Sequence, residues 1–227
     1  MDFTVRNAAG VKMRCYARWK NDDAGLFFRD QTILLFGCCW DLLANFVLLN
    51  PGSALPLNDD DQTEFLRSKN LPFFVEPEND EQYVEFSIDR LMNDILKLFS
   101  SKYSGGTIRL YNLFNLKNRH SGKAVEQFSA NKLHPKMFTK DTEINYCNTP
   151  IIIASGRYAK DNNNLKRELI RYITLAKHEY LYKVSKSGEK EFSIVKTTPD
   201  STGFIDSYHP SYTFKYGNST NLGDLKT

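Results

Sequence analysis

Apolar residues fall along this chain in short unbroken runs, with two longer stretches at helical spacing. Residues 25–28 and 32–36 are such runs and predict strands or an antiparallel lead-in within residues 1–40. Residues 45–49 (NFVLL) end at Asn50-Pro51-Gly52, the pattern of a buried parallel strand closed by a turn. Residues 53–80 are acidic and contain prolines; they predict a long loop with one helical turn near 63–68. Across 82–101, Phe86, Ile88, Leu91, Ile95, Leu98 and Phe99 predict one amphipathic helix, stopped at Gly105-Gly106. Residues 107–111 predict a second strand, and 115–145 a polar, basic loop or short helices. The run 150–154 (PIIIA) predicts a third buried strand, broken by Gly156. A helix is expected over 162–178, then strands at 179–184 and 191–195 around Ser187-Gly188. The tail from Asn218 is polar and is expected to fray as a flexible end, 218–227.

Strand, helix, strand, helix, strand predicts an α/β sheet with parallel strands. The 227 residues, 41% hydrophobic, suffice for one core, and no linker-like stretch divides them, so a single domain over 1–227 is expected. No apolar run has the length of a membrane span. The first twenty residues mix charges into their apolar positions, unlike a secretory leader. The cysteines, Cys15, Cys38, Cys39 and Cys147, form no C-x-x-C pair; reduced thiols in a cytoplasmic monomer are the expectation. The run Asp59-Asp60-Asp61 lacks a further acidic set, so no metal and no cofactor are expected.

Charge is uneven. Residues 1–96 carry 9 Lys and Arg against 16 Asp and Glu, a net of −7, whereas 97–227 carry 21 against 11, a net of +10. That asymmetry fits a basic face for a phosphate backbone, with solvated charge as the alternative.

Ligands of parallel α/β sheets sit beyond the carboxyl ends of the strands. Four segments fall near predicted ends: Asn50-Pro51-Gly52, residues 112–115 (NLFN), residues 155–158 (SGRY) and residues 208–211 (YHPS). In that order they resemble the motifs of the uracil-DNA glycosylase superfamily, over roughly residues 45–215. FVLLNPGSALP resembles the water-activating motif of its mismatch-specific branch. IRLYNLFNL resembles the strand whose terminal Asn reads the base edge. IIIASGRYAK resembles the strand-Trp-Gly-x-x-Ala segment. HPSYTFK resembles the His-Pro-Ser motif that opens the DNA-intercalating loop. Leu48 stands where the superfamily has Gly, and Ser155 where Trp is usual. The chain is also similar to a sparsely characterised bacterial family sharing Leu-Asn-Pro, Asn-Leu-Phe and His-Pro runs.

The resemblance implies a three-layer fold around a central, mainly parallel four-stranded sheet flanked by helices. It implies a monofunctional DNA glycosylase with DNA as partner. Asn50 would position the water and His209 would donate to the departing base. Leu49, Pro51, Gly52 and Asn112 would line the base pocket, with Phe65, Phe73 or Phe74 stacking on the base. Ser155, Arg157, Ser211 and Tyr212 would meet DNA. Independently of the resemblance, the basic run of Lys117, Arg119, His120 and Lys123 reads as a phosphate patch, with solvated charge as the alternative. Taken singly, Asn50 also reads as a turn cap, Asn112 as a strand-end cap and His209 as a turn histidine. A nucleotide or nucleoside N-glycosidase and a non-catalytic binder of modified DNA remain open. So does the base, including a hypermodified base of phage DNA.

Overall fold

The computed structural model describes residues 5–6, 12–22, 25–78, 80–211, 219–223 and 225. Among these the strands are β1 (Val5–Arg6), β2 (Lys12–Asn21), β3 (Phe27–Phe36), β4 (Leu42–Leu48), β5 (Gln82–Phe86), β6 (Gly106–Asn112), β7 (Ile151–Ile153), β8 (Leu181–Lys186), β9 (Glu191–Lys196) and β10 (Ser219–Asn221). The helices are α1 (Thr63–Arg67), α2 (Arg90–Ser100), α3 (Ser121–Asn131), α4 (Tyr158–Asp161) and α5 (Asn163–Thr174).

The strands join one mixed sheet in the order β1-β2-β3-β6-β4-β7-β8-β9-β10, with β5 also pairing β2. Its middle, β6-β4-β7-β8, is parallel throughout. Period-2 alternation turns successive side chains of these strands to opposite faces. Ala44, Phe46, Leu48, Ile108, Leu110, Ile152 and Ala154 pack with Met92, Ile95, Leu96 and Phe99 of α2. Val47, Leu49, Tyr111, Ile151 and Ile153 pack with Ala124 and Phe128 of α3 and with Leu165, Leu169, Tyr172 and Ile173 of α5. Both faces are covered by helices, so these strands read as continuous apolar runs.

The sheet is wider than the four strands expected. The supposed lead-in supplies β2 and β3, ten residues each, with antiparallel pairings that run β5-β2-β3-β6. The single helix expected over 82–101 is a strand followed by a helix. Gln82–Phe86 pairs with β2, and Asp89 then caps α2 by accepting the Met92 N–H at 3.0 Å. Residues 115–145 contain α3, whose buried positions are only Ala124 and Phe128. The tail does not fray where it is described: β10 lies parallel to β9, and Leu222 and Leu225 are buried. Among the described residues no helix is long and apolar enough to cross a membrane.

Candidate active site

The parallel ladder runs slightly past the strand ends. Leu113 N–H donates to the Leu48 carbonyl at 2.9 Å, and Ala154 N–H to that of Val47 at 3.0 Å. Leu49-Asn50 and Ser155-Gly156 therefore emerge side by side. The chain leaves β4 for β6 on one side, and β7 lies on the other, so the crevice between β4 and β7 is the switch point where ligands of such sheets settle.

The fourth segment arrives from far along the chain. Tyr208 N–H donates to the Val184 carbonyl of β8 at 3.0 Å, which lays the approach to His209 across the sheet edge. Gly156 permits the contact: its φ is +74°, and a Cβ there would stand 2.7 Å from His209 Cβ. Ser211 holds the ring, with its N–H donating to Nδ1 at 3.2 Å and its Oγ 2.8 Å from the same nitrogen. Because Nδ1 accepts a backbone N–H, the neutral ring carries its proton on Nε2. Burial pulls the imidazolium down to about 4, against the favourable charge of Asp89. At neutral pH His209 is thus an uncharged Nε2–H donor.

Two cavities of about 390 Å³ each share Arg119, Ser121, His209 and Ser211. The first also has Asn50, Gly52, Asp89, Arg90, Leu91 and Asp94 in its wall, with Arg90 Nε 3.8 Å from Asp94 Oδ2. Asn50 Nδ2 donates to the Asn118 carbonyl at 2.8 Å, which leaves Oδ1 as its acceptor. Asp89 uses Oδ1 to cap α2. Its Oδ2 lies against the turn, 3.0 Å from where a Cβ on Gly52 (φ +73°) would stand. This carboxylate was missed because the sequence reading places it inside a helix. The available signal was an Asp directly before a helix start, a favoured N-cap.

The second cavity is lined by Leu49, Ser121, Gly122, Ser155, Gly156 and Arg157. Ser121 and Gly122 open α3, where backbone N–H groups lack intrahelical partners. Ser155 is 1% exposed and its Oγ has no hydrogen-bond partner. Two arginines, a helix N-terminus and an orphaned hydroxyl together suit an oxyanion. A third cavity, about 420 Å³, continues past Arg157 and His209 with Lys160, Lys183, Ser185 and Ser207.

Other expected residues lie elsewhere. Asn112, 3% exposed, lines a void of about 20 Å³ below the first cavity, together with Pro51. Phe65 and Phe73 line none of these cavities. The 53–80 segment folds back onto the antiparallel flank, where Leu57 N–H meets the Glu85 carbonyl at 2.8 Å. There both rings, and Phe74, pack with Tyr16, Leu66, Leu71 and Tyr83. Leu91 is the large apolar side chain that the first cavity offers instead. Lys117 is half-buried, its ammonium disfavoured by burial and by Arg29, and it lines none of these cavities. Lys123 is exposed on α3, also outside these linings. Tyr212 falls outside the described residues. No family model matches the chain, and neither does any curated protein or any solved structure.

Proposed function

We propose that the protein is a DNA glycosylase that hydrolyses the N-glycosidic bond of a damaged or modified base turned out of DNA. One observation carries this reading: His209, oriented by the Ser211 N–H on Nδ1, lines both a cavity that holds the Asn50 amide and the Asp89 carboxylate, beside an Arg90–Asp94 pair, and a cavity whose groups suit an oxyanion. Such a bond breaks with positive charge on the sugar and negative charge on the base. Asn50 Oδ1 would hold the attacking water. The Asp89 carboxylate would oppose the sugar's positive charge and take the water's proton as oxygen bonds to the anomeric carbon. The bonding pair leaves with the base nitrogen, and the His209 Nε2–H steadies the anion until it is protonated. The second cavity would seat the adjoining phosphate on Ser155, Arg119, Arg157 and the start of α3.

The motif resemblance supports the same reading, since the parallel block presents Asn50, Ser155 and His209 at one edge. The third cavity supports a polymer over a mononucleotide through Lys183, which continues the lining beyond Arg157, whereas Lys160 there is paired with Asp206 at 2.8 Å. A hypermodified base of phage DNA falls within this substrate class.

The test is single-turnover base release from duplexes carrying uracil, mismatched thymine, alkylated bases or hypermodified cytosines. Asn50→Ala and His209→Ala should each slow release by roughly 10²-fold or more. DNA affinity should survive Asn50→Ala, whose residue lines neither of the other cavities, and should fall less than release does in His209→Ala, because Arg119, Arg157 and Ser155 remain. Full activity in both variants would refute the assignment. Release from free nucleotides but not from DNA would favour a nucleotide N-glycosidase, and binding without release a non-catalytic reader.

A further inference from the structure

Arg29 of β3 is 2% exposed, yet its guanidinium is mostly unpartnered. Nη2 donates to the Pro51 carbonyl, and the Phe86 ring lies 5.2 Å from the guanidinium carbon. Nε and Nη1 have no hydrogen-bond partner, and neither has Thr32 Oγ1. Burial works against its charge, while the Cys15 thiol and Asp89 favour it. A guanidinium nevertheless stays protonated in proteins, so this is a buried cation with two idle donors. Such an arrangement is costly unless an acceptor arrives.

Arg29 and Thr32 line the void of about 20 Å³ beneath the site, with Leu48, Asn50, Asp89 and Asn112. Asn50, Gly52, Asp89 and Leu91 belong to the walls of both this void and the first cavity. A water needs on the order of 10–15 Å³ of such volume, so the void admits one oxygen-sized group and no ring.

We propose that this void is an oxygen subsite of the base pocket. Arg29, helped by the Thr32 hydroxyl and the Asn112 amide, receives an acceptor oxygen on the edge of the extruded base while the ring occupies the first cavity. The proposal rests on the glycosylase reading and sharpens it to a substrate class: bases with a carbonyl oxygen on that edge. Arg29 only donates, so an amino group in place of that oxygen would leave Nε and Nη1 without an acceptor. As the glycosidic bond breaks, negative charge spreads onto such a carbonyl oxygen. The fixed cation then binds the leaving base more strongly than the substrate, which is the condition for acceleration.

The experiment uses Arg29→Met and Arg29→Lys in the full chain. It combines thermal melts, titration with free uracil, hypoxanthine and adenine, and base release from the duplex panel. Met fills similar volume without charge, and replacing an unpaired buried cation in this way should leave Tm unchanged or higher. Wild type should bind uracil or hypoxanthine at least ten-fold more tightly than adenine, which has no carbonyl. Arg29→Met should lose that preference, and Arg29→Lys should keep part of it. A marked fall in Tm for Arg29→Met, with base preference unchanged in Arg29→Lys, overturns the proposal and makes Arg29 a tether for the Pro51 turn. Base release by wild type that Arg29→Met matches in rate and preference overturns the subsite but leaves the glycosylase standing. Carbonyl preference through Arg29, with no release from any duplex, keeps the subsite and removes the glycosylase. Adenine bound as tightly as uracil, or no base bound at all, removes the subsite.

Discussion

Two arginines on neighbouring strands, Arg18 on β2 and Arg29 on β3, are each 2% exposed and are treated in opposite ways. Arg18 meets Asp30 at 2.8 and 2.7 Å, Glu143 at 3.0 and 2.7 Å and Glu81 at 3.1 Å. Lys20 completes this network on Glu81. Arg29 has one carbonyl and a ring face. The Arg18 cluster therefore satisfies its charge from within the fold, whereas the end of β3 nearest Asn50 and Asn112 leaves donors unused. Satisfied networks order a fold, and an unsatisfied buried group calls for an explanation of its own, which for Arg29 is the oxygen subsite proposed above. The same contrast disposes of the acidic group Glu78, Asp80 and Glu81. Those carboxylates lie close enough to share a cation, but Lys140, Lys136, Lys20 and Arg18 already neutralise them.

The largest expected effect separates the two arginines directly. Arg18→Met leaves Asp30, Glu81 and Glu143 without their shared cation. Breaking a buried pair from one side costs about 3–5 kcal/mol. Urea unfolding should show that loss, beside no loss in Arg29→Met. A cost under about 1 kcal/mol for Arg18→Met would mean that the network is not what orders this flank.

A smaller effect probes the site edge. Gly156→Ala places a methyl 2.7 Å from His209 Cβ at φ +74°. The backbone penalty alone is about 1–2 kcal/mol. Excision should fall further than stability does, toward the roughly 10²-fold loss of His209→Ala, because the imidazole is displaced. Equal activity, with stability lowered, would detach His209 from the chemistry.

The three strands that lead to the site are legible because their burial is uniform. The β4, β6 and β7 runs are covered on both faces, so apolar continuity marks them and Asn50, Asn112 and Gly156 punctuate their ends. Hidden elements break that rule. In β5, Tyr83, Val84 and Phe86 merge with the helical stripe that follows, so the boundary at Asp89 was lost. Arg29 sits in FFRDQTILLF, where a charged residue reads as solvent-facing. In fact nine of its ten positions are buried, because β3 lies inside a sheet wider than expected. Phe65 and Phe73 fall in the right interval after Asn50, but an interval says nothing about the face onto which a loop folds.

The smallest effect is a pH profile that distinguishes the two regions by one group each. His209 and Glu143 are both held below their ordinary values. For His209 burial does this, pulling it from 6.5 to about 4. For Glu143 burial acts the other way, and hydrogen bonds and charge from Arg18 outweigh it. Between about 6.5 and 4 the unfolded chain binds a proton at residue 209 that the folded chain refuses. This contribution is present in full above 6.5 and is lost as pH falls toward 4. The Glu143 contribution is complete above its unfolded value of 4.5 and is lost as pH falls below that. Acid should therefore weaken the site before the network. Melting temperatures recorded from pH 8 to 3 should decline in two stages, with His209→Gln removing most of the upper stage and Glu143→Gln reducing the lower. Base release should stay level from pH 8 to about 5, since His209 is already neutral across that range. An inflection in base release near 6.5 that His209→Gln abolishes, or a melting profile without an upper stage that His209→Gln changes, would show an ordinary, solvated histidine. The neutral Nε2–H donor, and the role given to it, would then be withdrawn.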